Sequence, residues 1–168
     1  MKQPQRILIM GLPGSGKTTL AERLKQRLED VLNPINEHSL TPISDARVTV
    51  AWLNADIVRK KYDDWDFSIS GRIRQSLRMR ELADTSSADY VICDFVCPLP
   101  EMRNNFQAHW RIWVDTIPAG RFADTNNMFV PPTVWDFRIT EQDADKYSEL
   151  IVKKILAKYL HVDPTLSS

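Results

Sequence analysis

The chain has 168 residues, with 22 lysines and arginines against 22 aspartates and glutamates, and it is 43% hydrophobic and 26% charged. That composition is one of an ordinary folded domain able to bury about 70% of its unfolded surface, which excludes global disorder and coiled coil. Zero net charge gives no overall field for a nucleic acid or an acidic membrane, and no apolar run approaches the roughly 20 residues that a membrane-spanning helix needs.

A run over 6–10 reads as the first strand. The helix after it opens at Gly16 to Thr18, carries Leu20, Leu24, Leu28 and Val31 on one face, and stops at Asn33-Pro34. Residues 33–46 hold two prolines and little apolar content, so they read as a surface insertion. Strands are expected over 47–53, 90–95, 111–114 and 135–139, with a helix over 71–83 between the second and third strands. The proline-flanked stretch 117–133 is either a lid over a site or a long loop. Thr140-Glu141-Gln142-Asp143 resembles a capping box, which starts a last helix running to about 160 with Ala144, Tyr147, Ile151 and Ile155 inward. Strands alternating with helices imply a single α/β domain over 1–168, built on a five-stranded, mainly parallel sheet with helices on both faces. Ligands of such folds bind beyond the carboxyl ends of the strands.

Only five glycines occur, yet Gly11, Gly14 and Gly16 fall within six positions. Gly11-Leu12-Pro13-Gly14-Ser15-Gly16-Lys17-Thr18 fits G-x-x-x-x-G-K-[ST] at every fixed position, directly after a strand run and before an amphipathic helix. Glycines let successive N–H groups converge on phosphate oxygens, and the helix N-terminus adds partial positive charge. The expected nucleotide-binding set is Gly11, Pro13, Gly14, Ser15, Gly16, Lys17, Thr18 and Thr19. Lys17 reaches the β- and γ-phosphates of ATP, and the Thr18 hydroxyl binds Mg²⁺.

Two carboxylates end neighbouring strands. Asp94 reads as a second Mg²⁺ anchor or as a cap of the next turn; Asp56 reads as the group that orients or deprotonates an acceptor hydroxyl, or as a helix N-cap. Asp115 ends the fourth strand and is taken as structural. Arg72, Arg74, Arg78 and Arg80 lie within nine residues that contain no acid; Arg74 and Arg80 read as a basic face paired with nearby acids. Cys93 and Cys97 have no neighbouring ligands for zinc and read as two buried thiols.

Leu53-Asn54-Ala55-Asp56-Ile57-Val58-Arg59, Asp66-Phe67-Ser68 and Gly71-Arg72-Ile73-Arg74-Gln75-Ser76-Leu77-Arg78, in this order after the phosphate loop, resemble adenylyl-sulfate (APS) kinases. That family carries L-D-G-D-x-x-R, F-S and D-R-x-x-N-x-x-R. Residues 91–98 and 113–116 resemble its I-V-x-x-F-I-S-P and F-V-D-T segments, so the likeness spans roughly residues 6–116. The resemblance implies the nucleotide-kinase type of P-loop nucleoside triphosphate hydrolase fold and transfer of the ATP γ-phosphate to a ribose 3′-hydroxyl of adenylyl sulfate. It implies a substrate-orienting Asp56, anion-binding Arg59 and Arg72, Phe67 stacked on an adenine, and Gln75, Phe95 and Val96 at the acceptor. Lys17, Asp56, Arg59 and Asp94 form the expected catalytic set. Departures stand at Asn54-Ala55, Gly71 and Gln75, at Pro98-Leu99-Pro100, and in the lid, where Arg121 is the nearby cation. The expectation is a cytoplasmic, ATP- and Mg²⁺-dependent kinase of a small anionic acceptor, adenylyl sulfate first. Other acceptors (a nucleotide, modified base, sugar or nucleic acid end) and a non-catalytic ATP-binding module are the alternatives. No membrane or long nucleic acid is expected as partner, and a homodimer is open.

Overall fold

Residues 3–35, 37–38, 40–41 and 47–162 are described in a computed structural model, and the insertion expected over 33–46 lies partly outside them. The apolar run forms β1 (Gln5–Met10), with Ile7 to Met10 almost wholly shielded from solvent, as a central parallel strand covered on both faces requires. Around it the sheet has the order β2-β3-β1-β4-β5, where β2 is Val50–Asn54, β3 is Tyr90–Asp94, β4 is Trp110–Val114 and β5 is Phe137–Ile139. All four pairings are parallel.

Alternation along β1 divides the core. Ile7 and Ile9 face α1 (Lys17–Leu32) and the last helix, whereas Leu8 and Met10 face the other layer. Leu20, Leu24 and Leu28 of α1 are buried as their spacing predicts, but Val31 is 47% exposed, and Leu32, four residues after Leu28, packs against the core in its place. On the opposite face sit α2 (Ala55–Tyr62), α3 (Ile69–Asp84) and α4 (Pro100–Phe106). α3 begins earlier than the expected 71 because Ser68 caps it, accepting the Gly71 N–H.

Other boundaries also shift. The second strand starts at Val50, not 47, and continues to Asn54, the register partner of Asp94. β5 is limited to three residues; just before it the Asp136 carboxylate accepts the Arg111 N–H and the Asp136 N–H donates to the Arg111 carbonyl. The stretch 117–133 contains a helix, α5 (Ala123–Met128). The last helix, α6 (Ala144–Val162), starts after Asp143 rather than at Thr140: the Asp143 carboxylate accepts the Lys146 N–H and so takes the capping role that the expected capping box gives to Thr140. Ile151 and Ile155 are buried, and Tyr147 packs partly against the same core. Cys93 and Cys97 are free and buried; burial raises both thiol pKa values, that of Cys97 to about 12. Among the described residues no helix is long and apolar enough to cross a membrane.

Candidate functional site

The carboxyl ends of β1, β2 and β3 bring the loop 11–16, Asn54 and Asp94 together. Gly16 adopts a left-handed conformation (φ 106°) and caps α1, so Lys17 begins the helix with its side chain folded back, its Nζ donating to the Leu12 carbonyl at 3.0 Å. Burial pushes the Lys17 ammonium down to about 8, opposed by the charges of Asp94 and Asp56. Ser15 Oγ is buried and has no hydrogen-bond partner. A loop that shields an ammonium this far while leaving a hydroxyl orphaned suits a polyanion bringing oxygens for both.

Sequence reasoning missed the clamp behind this loop. Thr116 Oγ1 donates to the Ser15 carbonyl at 2.6 Å, and Gln142 Nε2 donates to the same carbonyl at 3.2 Å. Because the peptide is trans, a carbonyl fixed on that side fixes the Gly16 N–H on the other. Both residues line a cavity of about 220 Å³ with Thr19, Glu141 and Tyr147. Thr116 ends the F-V-D-T-like segment and Gln142 lies in the capping-box-like stretch, but neither pattern signals a bond to the loop, which they reach from the ends of β4 and β5.

Asp94 sits buried under two donors that were also missed: Trp52 Nε1 at 2.5 Å and Asn54 Nδ2 at 3.2 and 3.3 Å. Burial raises its pKa, while those hydrogen bonds and Lys17 oppose the rise. It caps no turn. Asn54, not Asp56, caps α2, which leaves the Asp56 carboxylate in the first helical turn and exposed. Among the described residues no cluster of three or more His, Cys, Asp or Glu side chains could hold a metal. A divalent cation would therefore rely on Asp94, Thr18 and phosphate oxygens, the sparse protein set usual for Mg²⁺.

The acceptor residues expected from sequence come together. Asp56, Arg59, Phe67, Arg72, Gln75, Phe95 and Val96 all line one cavity of about 60 Å³. Arg59 lies 4.4 Å and Arg72 5.3 Å from the Phe67 ring centre, one contact of the cation–π kind each. Both are bonded to main chain: Arg59 to the carbonyls of Asp64 and Asp66, Arg72 to that of Phe67. Burial is the main cause that lowers both guanidinium pKa values. Asp64 is gripped by Arg74 and Arg78, which hold its carboxyl well below the usual range. Arg80 pairs with Asp84, and Asp115 with Arg138. The strap 63–68 is thus tied down over the cavity. Gly71 belongs to the same closure, since a Cβ there would stand 2.3 Å from the Asp66 carbonyl oxygen.

The stretch 117–133 meets both halves of the site. Asn126 accepts the Gly120 N–H and donates to the Gly120 carbonyl, and a Cβ on Gly120 would lie 2.9 Å from the Pro13 carbonyl oxygen. Arg103 donates to the carbonyls of Cys97, Pro98 and Val130, tying the far end of that stretch to the wall of the cavity that Asp56 and Arg59 line.

A five-stranded parallel sheet of this order, with a phosphate loop between its central strand and first helix, defines a P-loop protein of the kinase-like fold. The chain belongs to the family described as chromatin associated protein KTI12, whose model matches residues 6–111. A comparison with curated proteins found no match. Among solved structures, the APS kinase of Mycobacterium tuberculosis in complex with AMPPNP and APS is similar at TM-score 0.71 and 17% identity, covering 93% of this chain and 99% of that one. Shikimate kinase from Acinetobacter baumannii in complex with shikimate gives 0.60 and 16%, covering 95% and 97%. Shikimate kinase from Aquifex aeolicus gives 0.58 and 14%, covering 93% and 99%. These likenesses support the fold; the APS-kinase resemblance of the sequence extends to that fold, while the family is KTI12.

Proposed function

We propose that the protein is an ATP- and Mg²⁺-dependent phosphotransferase acting on a hydroxyl of an anionic small molecule. The observation that carries this reading is the position of Asp56, an exposed carboxylate in the wall of a cavity that also contains Arg59 and Arg72, close enough to the phosphate loop for its charge to act on Lys17. The loop 11–16 with Lys17 binds the phosphates, and the cavity beside Thr19, Thr116 and Gln142 takes the base. Thr18 and Asp94 hold the divalent cation, which when bound neutralises charge on the transferring phosphoryl group. Asp56 orients the acceptor hydroxyl and takes its proton as the oxygen forms its bond to the γ-phosphorus and the bond from that phosphorus to ADP breaks. Adenylyl sulfate is the first acceptor to test, on the likeness of residues 53–78 to APS kinases.

One observation favours a second reading, an ATP-binding module that works without a small acceptor. Arg121 is the sole lysine or arginine in 117–133, and it lies over the Phe122 ring. Lid cations normally stabilise the transferred group. The description of the KTI12 family as chromatin associated fits such a module as well. A coupled ADP-release assay with adenylyl sulfate, nucleosides, nucleotides, sugars and short oligonucleotides decides between them. Acceptor-dependent ADP with an equal amount of phosphorylated acceptor supports the first reading. Tight ATP binding with no acceptor-dependent ADP across the panel supports the second.

A further inference from the structure

Asn54 stands where the resembling kinases carry the first acid of D-G-D. Its side chain is used at both ends. Oδ1 accepts the N–H groups of Asp56 at 3.0 Å and Ile57 at 3.2 Å, which caps α2. Nδ2 lies 3.2 and 3.3 Å from the two Asp94 carboxylate oxygens and 3.4 Å from Thr18 Oγ1. The sheet enforces this placement, because Asn54 and Asp94 are register partners at the ends of neighbouring parallel strands. An amide can perform both tasks since one end accepts and the other donates. A carboxylate could keep the cap, but it would have no proton for Asp94 or Thr18 and would set two negative charges side by side.

We propose that Asn54 is a positioning residue: it joins the Thr18 hydroxyl and the Asp94 carboxylate into one half-shell for the divalent cation and, through its cap on α2, fixes Asp56 relative to that half-shell. The inference rests on the nucleotide-kinase reading above. It adds that the cation half-shell and the acceptor carboxylate are registered to each other through a single neutral side chain. With one carboxylate in the half-shell, the cation is held chiefly by the nucleotide and enters with it.

The test uses the whole chain and three measurements: thermal unfolding with and without Mg²⁺, ATP affinity by calorimetry in Mg²⁺ or in EDTA, and steady-state kinetics. Asn54→Asp and Asn54→Ser both retain a good N-cap, so they fold, whereas Asn54→Ala removes cap and tie together. In wild type, Mg²⁺ alone leaves the unfolding temperature unchanged, and Mg²⁺ tightens ATP binding. In Asn54→Ser the Mg²⁺-dependent gain in ATP affinity drops about tenfold, the size of effect seen when a residue that orients metal ligands is lost, while affinity in EDTA stays at the wild-type value. In Asn54→Asp, Mg²⁺ alone raises the unfolding temperature, because two carboxylates now face the cation, and kcat falls more than the KM for ATP changes. Wild-type Mg²⁺ dependence in both capped variants overturns the proposal, as does an equal loss of affinity in Mg²⁺ and in EDTA, which marks a damaged phosphate loop. Wild-type protein that binds no ATP under either condition instead overturns the kinase reading beneath it.

Discussion

Arg72 of α3 donates from Nη2 to Thr125 Oγ1 of α5 at 2.8 Å, and both side chains are buried. This bond pins α5 to the wall of the cavity that Asp56, Arg59 and Phe67 line. Thr125→Val keeps the shape and removes the acceptor, leaving a buried charged donor unpaired at a cost of about 1–3 kcal/mol. The variant should unfold at a lower temperature and be cut faster by protease within 117–133; an unchanged cleavage rate would show that the lid is held elsewhere.

Gly71→Asp restores the acid of the resembling kinases, yet it should not restore their function. A Cβ at 71 meets the Asp66 main chain and side chain at 2.3–2.8 Å, so the strap must lift. Overpacking of this kind costs about 1–3 kcal/mol. Thermal unfolding of Gly71→Ala and Gly71→Asp should show comparable losses, since the backbone collision is common to both.

Lys17→Met separates folding from binding. The stem is conserved in length, and the charge that burial disfavours is gone. The unfolding temperature without nucleotide should stay at or above that of wild type, while ATP binding falls by about 100-fold or more through loss of the charge-assisted phosphate contacts. Unaltered ATP affinity in calorimetry would contradict the assignment of the phosphate loop.

His109 predicts how stability changes in mild acid. Its Nδ1 accepts the Arg6 N–H at 2.8 Å, which requires that nitrogen to be unprotonated. Burial, then the Arg6 charge, hold its pKa below the ordinary 6.5. Below that value the unfolded chain takes up a proton that the folded protein resists, so the unfolded state binds more protons and folding stability falls as pH drops through this window. Unfolding temperatures measured from neutral pH downward should decline less steeply in His109→Gln, whose slope lacks the imidazole contribution.

Much of the fold is legible in the chain because β-branched runs and a stringent loop motif mark strands and cradle directly. The five strands were expected at nearly their observed positions; Val50 and Asn54 differ because the ladder to β3, not local composition, sets where β2 starts and ends. The short helices were not legible. α2, α4 and α5 have eight, seven and six residues, too few for a periodic apolar stripe, although Pro100 at the start of α4 is a helix-opening signal. At the site, the cavity residues could be gathered from sequence because a motif series carries them. The parts played by Trp52, Asn54, Thr116 and Gln142 could not, although the last three stand within motif-like segments, since each acts through a tertiary hydrogen bond to a distant partner.

The contacts of Arg59 and Arg72 with the carbonyls of residues 64, 66 and 67 have a consequence for selectivity. On the proposed function, an incoming anion would meet guanidinium groups that already have oxygen ligands, so its gain would be the difference between its own oxygens and those of the strap. Recognition would then be an exchange of ligands, with the strap as an internal competitor. A singly charged ion would gain little by that exchange, whereas a multiply charged oxyanion could displace the carbonyls, so the strap would set the least charge that an acceptor must bring.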